Sequence, residues 1–168
     1  TFNGWSDYYE SMTMPAENIT FTANWSVNQY TIIFNSNGGS EVAPITQDYN
    51  TAVDAPSAPT RTGYTFAGWQ LNGEDYTFST MPAENIILTA KWTPNTYTVE
   101  FDPNGGVGFM QEQIFTYDIA QSLIPNEFTN AGYTFMGWNT SPDGSGTSYP
   151  DRVSVKNLTG GMNETVTL

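Results

Sequence analysis

The chain has no cysteine and no histidine among its 168 residues. These absences exclude disulfides, thiolate or imidazole metal sites, cysteine nucleophiles and triads with a histidine base. Positive charge is scarce as well, because four lysines and arginines face seventeen aspartates and glutamates, for a net charge of −13. Such a surface repels phosphate backbones and anionic membranes, so we expect no nucleic-acid partner. No apolar run is long enough to span a bilayer, and we expect no membrane insertion.

What the chain does contain is repetition. The phrase Gly-Tyr-Thr-Phe-x-Gly-Trp forms residues 63–69 and 132–138, and its tail, Thr-Phe-x-Gly-Trp, forms residues 1–5. Two other phrases recur 67 positions apart, one at 30–34 and 97–101 and the other at 14–19 and 81–86. Repetition of one small module is typical of proteins that need a long or rigid segment or many copies of one unit. An enzyme instead concentrates non-repeated reactive groups at one site.

The repeats predict three modules. Residues 1–25 correspond to the C-terminal half of a first repeat, 26–92 to a complete second repeat, and 93–168 to a third repeat without its last strand residues. We expect the chain to be cut from a longer array. Four residues separate Trp25 from Tyr30, and four separate Trp92 from Tyr97. Because four residues span no more than about 14 Å, we expect neighbouring repeats to touch and to form a semi-rigid string.

Side-chain alternation predicts strands with one buried face. Apolar residues occupy every second position along 19–25 and 86–92, and the positions between them vary.

Asn72-Gly73 predicts a tight hairpin, since both residues tolerate positive φ. Residues 118–125 are compatible with one or two helical turns, although proline argues against a long helix. We therefore predict a mainly β or α+β fold of small modules arranged end to end, each with about four strands and at most a short helix.

Most aromatic residues keep the register of the repeat, which favours a core role over a sugar-binding platform. Each buried ring removes about 150–250 Å² from water, so aromatic residues allow a small module without disulfides to close a core. The predicted core consists of Trp5, Trp25, Tyr30, Phe34, Tyr64, Phe66, Trp92, Tyr97, Phe101, Tyr133 and Phe135.

Trp69 and Trp138 do not fit this pattern, because strict alternation turns both away from the face that the preceding aromatic residues share. One explanation, which we favour, is a β-bulge at Gly68 and at Gly137 that rotates the indole inward. The other is that both indoles are exposed and bind a ligand. Trp69 and Trp138 are therefore candidate ligand-binding residues.

Asp143 is a third candidate, in the Asp-Gly-Ser-Gly loop of the third repeat. The loop superficially resembles a calcium loop, but it lacks the other acidic ligands of an EF-hand, so a turn is the better interpretation. We identify no catalytic residue and no metal site, and we expect no cofactor.

In combination, the Gly-Tyr-Thr-Phe-x-Gly-Trp phrase, the x-Leu-Thr-Ala-x-Trp strand and the Tyr-Thr-Val-x-Phe-Asp-x-Asn-Gly-Gly phrase resemble the internalin-type B repeat, or Listeria–Bacteroides repeat, in tandem. The resemblance covers essentially the whole chain. It implies β-grasp-like modules, carried in arrays on bacterial surface or secreted proteins, and no catalytic residues.

From the repetition and this resemblance we expect a non-enzymatic segment of an extracellular or cell-surface bacterial protein. It would act as a semi-rigid stalk or spacer of an adhesin, with neighbouring repeats of the same chain as its partners. The alternative is that the repeats themselves form an adhesion module that binds a host or surface glycan or protein. A hydrolase in which the repeats are accessory is a third interpretation.

Overall fold

The computed structural model describes residues 1–5, 18 and 20–168. These residues contain strands and loops but no helix, which confirms the mainly β prediction, and none of them belongs to a helix capable of crossing a membrane. Of the recurring phrase at 14–19, residues 14–17 and 19 lie outside them. The strands are β1 (Phe2–Trp5), β2 (Ala23–Trp25), β3 (Gln29–Asn35), β4 (Ile45–Asp48), β5 (Tyr64–Leu71), β6 (Glu74–Asp75), β7 (Ile86–Pro94), β8 (Thr96–Glu100), β9 (Gln113–Thr116), β10 (Gln121–Ser122), β11 (Trp138–Asn139), β12 (Ser148–Tyr149), β13 (Ser154–Val155) and β14 (Thr165–Thr167).

The second repeat forms one five-stranded mixed sheet in the order β4-β3-β7-β5-β6. Its central pair, β3 and β7, is parallel, with Ile32 opposite Ile86, and the remaining pairs are antiparallel. The predicted Asn72-Gly73 hairpin is confirmed, because both residues have positive φ and join β5 to β6. Ile33 lies between the buried Ile32 and Phe34 on β3 and is exposed, as alternation along a strand with one buried face requires.

The third repeat keeps the parallel central pair in a smaller sheet. Its three-stranded sheet has the order β14-β8-β9, and β14 runs parallel to β8 with Val166 opposite Val99. Two further strand pairs, β10 with β13 and β11 with β12, complete the repeat. The helical turns considered for residues 118–125 are not found, because β10 pairs with β13 there and directs Leu123 into the core. The β-grasp likeness remains a prediction.

Each of these two repeats has its own hydrophobic core. Ile32, Met81 and Leu88 are fully buried in the second repeat, and Val99 and Phe115 are fully buried in the third. Among the predicted core residues, Phe34 and Tyr97 are buried, while Tyr30, Phe66, Trp92 and Phe101 are partly buried against one of the two cores.

The core prediction is wrong for Trp5, Trp25, Tyr133 and Phe135, whose side chains are all exposed. The described part of the first repeat is a two-stranded ribbon, β1 with β2, which is too small to enclose its rings. In the third repeat, residues 133–135 belong to no strand, whereas the equivalent residues 64–66 of the second repeat pair with β7. Register alone therefore does not determine burial.

Trp69 and Trp138 are both buried, with exposed fractions of 4% and 3%. The register of β5 against β7 shifts between Phe66 and Gly68, and Gly68 has a φ of +129°. Gly137 has a similar φ of +136°. The favoured explanation, a β-bulge that rotates the indole inward, is thus found at Gly68. Trp138 is also turned inward, but Gly137 precedes β11 and the pairing of β11 shows no register shift.

Candidate functional site

The second and third repeats meet at a very short joint. β7 ends at Pro94 and β8 begins at Thr96, so Asn95 alone separates strands that belong to consecutive repeats. Asn95 is a buried polar residue with an exposed fraction of 6%. A buried amide is costly unless it is hydrogen-bonded, so its partners define the joint.

Asn95 is hydrogen-bonded to both repeats. On the second repeat, its backbone N–H donates to the Gly63 carbonyl at 2.8 Å, and its Oδ1 accepts from the Thr65 hydroxyl at 2.8 Å. On the third repeat, its Nδ2 donates to the Gly160 carbonyl and its own carbonyl accepts from the Tyr117 N–H, both at 2.8 Å. One residue therefore connects the two repeats through four bonds, two of them made by its side chain.

The joint between the first and second repeats uses the same two contacts. Asn28 occupies the position of Asn95, and its Oδ1 accepts from the Thr1 hydroxyl at 2.7 Å, as Asn95 does from the equivalent Thr65. Its carbonyl accepts from the Tyr49 N–H at 2.8 Å, as Asn95 does from Tyr117. The geometry is therefore a repeated device, although Asn28 is exposed.

Glycine allows the repeats to approach closely. Gly63 has a φ of +79°, and a Cβ atom at this position would overlap the ring of Tyr117. The Tyr117 ring also packs edge-on against Tyr64, with 5.7 Å between ring centroids. On the other side of the joint, a Cβ on Gly160 would lie 3.0 Å from the Thr62 methyl group. In both directions, therefore, a glycine backbone of one repeat lies against a side chain of the other.

A polar network forms the rim of the joint around Asp118. Its carboxylate accepts from the Tyr64 hydroxyl at 2.6 Å and from the Asn157 side-chain amide at 2.9 Å, and the Lys156 ammonium lies 3.4 Å away. These bonds, with that from Tyr64 as the largest cause, lower the pKa of Asp118 to about 2. The same bond raises the pKa of the Tyr64 phenol, because the adjacent carboxylate disfavours phenolate. Since Asp118 and Lys156 are exposed, their ion pair contributes little to stability.

The pKa shifts predict a broad pH range over which this rim persists. The pKa of Asp118 is lowered from 3.8 to about 2. The stabilisation that its carboxylate gives the rim is therefore complete above pH 3.8 and is lost as the pH falls towards 2. The pKa of Tyr64 is raised above 10.0. The stabilisation that its hydroxyl gives the rim is therefore complete below pH 10.0 and is lost as the phenol ionises at higher pH. NMR titration of both side chains is the measurement. In Asp118→Asn the Tyr64 pKa should return towards 10.0, and an Asp118 that titrates at or above 3.8 in the unsubstituted chain would contradict the network.

The sequence agrees with this structural repetition. A family model described as the Listeria-Bacteroides repeat domain matches residues 30–91 and residues 97–159, on either side of the Asn95 joint. The chain belongs to the Listeria–Bacteroides repeat family. In the terms of that family, the two matched segments are tandem repeats, and the site described above is the contact between them.

Several curated proteins are similar to this repeat segment. A protein of Evansella cellulosilytica named "Putative Gly-rich membrane protein" is 37% identical over 153 residues, covering 82% of this chain and 17% of the relative. A "Putative membrane protein" of the same bacterium is 35% identical over 150 residues, covering 84% and 22%. Internalin H of Listeria monocytogenes is 38% identical over 116 residues, covering 61% and 21%. The chain thus spans about a fifth of these relatives, and no solved structure matches it.

The three candidate ligand-binding residues do not form one site. Trp69 lies in the core of the second Listeria–Bacteroides repeat and Trp138 in that of the third. The Asp143 carboxylate accepts from the Ser145 hydroxyl at 2.7 Å and from the Ser145 N–H at 3.0 Å, and these bonds lower its pKa. Such bonds close a turn within the loop. Within the described ranges, no three acidic side chains lie together as metal ligands would.

Asn95 and Asp118 are absent from the sequence-based predictions. A signal for Asn95 exists, because Asn28 and Asn95 lie 67 positions apart within otherwise different linkers. Asp118 corresponds to Asn50, and both residues have positive φ, near +63°. Aspartate and asparagine both carry a side-chain oxygen acceptor and both tolerate positive φ. This similarity is too weak a sequence signal to identify a contact between repeats.

Proposed function

We propose that this segment of Listeria–Bacteroides repeats is a non-enzymatic, semi-rigid spacer in an extracellular or cell-surface bacterial protein. In that protein it projects an adhesive domain located elsewhere in the chain. The observation that supports the proposal most directly is the joint at Asn95, where one buried residue is bonded to both repeats.

The joint restricts bending in two ways. Only Asn95 lies outside the strands, so few backbone torsions are available to reorient one repeat against the next. Any reorientation also breaks bonds of the buried amide, and an unsatisfied buried polar group costs about 1–3 kcal/mol. Similar contacts at Asn28 give the first joint comparable geometry. Joints that share these contacts, placed in series, give a defined spacing between repeats.

Composition and relatives support a location outside the cell. An extended array with a net charge of −13 resists self-association, which suits an exposed segment. Two relatives are named as membrane proteins and one as an internalin, and this chain matches about a fifth of each. A repeated module whose reactive groups are not gathered at one site is suited to act as a spacer within such longer proteins.

Spin-label distances between the repeats test the proposal. The chain has no native cysteine, so labels at Glu74→Cys in the second repeat and Glu112→Cys in the third are unique. Both positions are exposed. We expect one narrow distance distribution, about as wide as that of a control pair within the second repeat, Glu41→Cys with Glu74→Cys. A distribution several times wider than the control would contradict a semi-rigid spacer.

A second candidate function is adhesion by the repeats themselves, through binding of a host or surface glycan or protein. It is favoured by an exposed aromatic cluster on the first repeat, where Phe2 lies 5.4 Å from both Trp5 and Trp25. Exposed rings of this kind suit sugar or protein contacts. Screening the chain on a glycan array, with Trp25→Ala as the matched variant, tests this function. Binding that Trp25→Ala abolishes without loss of fold would support it.

A further inference from the structure

The sheet of the third repeat has an open edge along β9. This strand is the last in the order β14-β8-β9, so it pairs with β8 on one side only. Ile114 lies opposite Thr98, whose N–H donates to the Glu164 carbonyl on the far side of β8. Because strand backbone groups alternate in direction, the N–H and C=O of Ile114 face away from β8. Neither group has a partner in the described part of the chain.

β9 lacks the features that usually shield an edge strand. Such strands are protected by lysine, proline or a bulge, and β9, with the sequence Gln-Ile-Phe-Thr, has none of these. The Ile114 side chain has an exposed fraction of 67%. In the second repeat the equivalent residue is Thr46, whose hydroxyl shares a 2.8 Å hydrogen bond with that of Thr31, and Pro44 directly precedes the strand. The two repeats thus share an edge, but only the third presents an apolar side chain there.

The open edge is a property of the repeat and does not depend on its neighbours. In the second repeat, which has repeat sequence on both sides, β4 is likewise the outermost strand of its sheet. None of the contacts described between the second and third repeats involves β4 or β9. The neighbouring strand β14 lies on the far side of β8.

A groove of about 420 Å³ continues from the start of β9. Its lining includes Phe109, which has an exposed fraction of 71%, and Phe128, which is partly buried against the core. Two exposed glutamates, Glu100 and Glu112, also line it. The groove therefore combines aromatic surface with negative charge.

These two glutamates have no cationic partner in the described part of the chain. The four basic side chains are engaged elsewhere, because Arg61 stacks on a tyrosine ring and the other three pair with aspartates. In the second repeat the position of Glu100 is occupied by the uncharged Ile33. A positively charged ligand at this edge would therefore meet two carboxylates that nothing else neutralises.

We propose that the β9 edge and this groove dock an extended segment of a partner protein that carries lysine or arginine two positions from an apolar side chain. The segment's main chain pairs with the open backbone groups of Ile114, and its apolar side chain packs against that of Ile114. Its basic side chains pair with Glu100 and Glu112. Opposite charges and apolar pairs across adjacent strands both stabilise such an arrangement.

The occupant is polypeptide because a backbone edge offers main-chain hydrogen bonds, while the flanking side chains supply specificity. A second copy of this chain is disfavoured, since its own edge carries the same carboxylates and each chain has a net charge of −13. This docking does not rest on the spacer role, because β9 contains none of the residues of the Asn95 joint.

The probe for this edge is the synthetic peptide acetyl-Thr-Lys-Thr-Val-Thr-Lys-Thr-amide, whose lysines and valine share one face of a strand. We expect its addition to the full chain to shift the NMR signals of residues 112–116. At saturation it should also slow amide exchange at Ile114 at least about tenfold. The matched peptide with glutamate in place of both lysines should do neither.

Two pairs of variants test the backbone and the charges of the edge. Ile114→Pro removes the outward N–H at a position where an edge strand tolerates proline, and it should abolish binding. Thr46→Pro makes the same change on β4 and should leave binding unchanged. Glu100→Gln with Glu112→Gln should weaken binding at least about threefold without altering the backbone. Its control, Glu41→Gln with Glu74→Gln, removes the same charge from the second repeat and should have no effect.

Three results would overturn the proposal. The first is that the lysine peptide leaves residues 112–116 unchanged. The second is equal weakening by the two glutamate pairs, which would reveal only a general attraction to an acidic chain. The third is dimerisation through β9 without peptide, seen by sedimentation and lost in Ile114→Pro, which would make a second copy the occupant. The spin-label distances report the joint without added peptide, so the two proposals fail independently.

Discussion

Replacing Trp69 by alanine is expected to lower the free energy of unfolding of the second repeat by about 3–5 kcal/mol. The indole is 4% exposed, and its ring centroid lies 4.8 Å from that of Phe34 and 5.3 Å from that of Phe66. Removing it leaves a cavity that the surrounding strands cannot collapse to fill. Chemical denaturation followed by circular dichroism measures the loss.

Trp25→Ala is the matched control for this prediction. Trp25 has an exposed fraction of 72%, so its truncation removes little buried surface and should cost less than about 1 kcal/mol. A Trp69→Ala variant that unfolds at the same denaturant concentration as the parent chain would contradict the core position of Trp69. The prediction also affects binding studies, because lost binding in Trp69→Ala would reflect a damaged core and would not identify a contact residue.

Replacing Gly63 by alanine is expected to destabilise the contact between the second and third repeats by about 2–4 kcal/mol. About 1 kcal/mol comes from placing a side chain at a φ of +79°. A further ~1–3 kcal/mol comes from overlap of the new methyl group with the Tyr117 ring, which must move away from Tyr64. The measurement is equilibrium unfolding observed separately in each repeat, where we expect the two transitions to separate.

Gly132→Ala provides a close control within the same chain. Gly132 is the equivalent of Gly63 and has nearly the same φ, +82°, but nothing beyond its two chain neighbours lies within 4 Å of the position its Cβ would take. Its replacement should therefore cost only the backbone contribution of about 1 kcal/mol. Equal effects of the two substitutions would mean that Tyr117 does not constrain the joint.

Local chemistry made much of the fold predictable. The alternation along β7, the Asn72-Gly73 hairpin and the glycine beside Trp69 each follow from the geometry of a few adjacent residues. Burial was less predictable, because it depends on what covers a residue. Tyr64 and Tyr133 occur in the same phrase, yet Tyr64 contacts Tyr117 of the next repeat, while Tyr133 is exposed.

The joint between repeats could be predicted only in part. The length of the linker correctly required the second and third repeats to be in contact. The bonds that fix their orientation come from residues far apart in sequence, since Thr65 and Gly160 both bond to the Asn95 side chain. Which residues bond to the Asn95 side chain depends on how two folded repeats pack against each other. No periodicity within one repeat carries that information.

The central claim is that consecutive repeats are held in one orientation by the joint at Asn95. Residual dipolar couplings from an aligned sample of the full chain test it most directly, because they report the orientation of each repeat separately. We predict that couplings from residues 29–94 and 96–168 fit a single alignment tensor of one magnitude and direction. Two tensors of different magnitude, as independently tumbling repeats would give, would contradict the account.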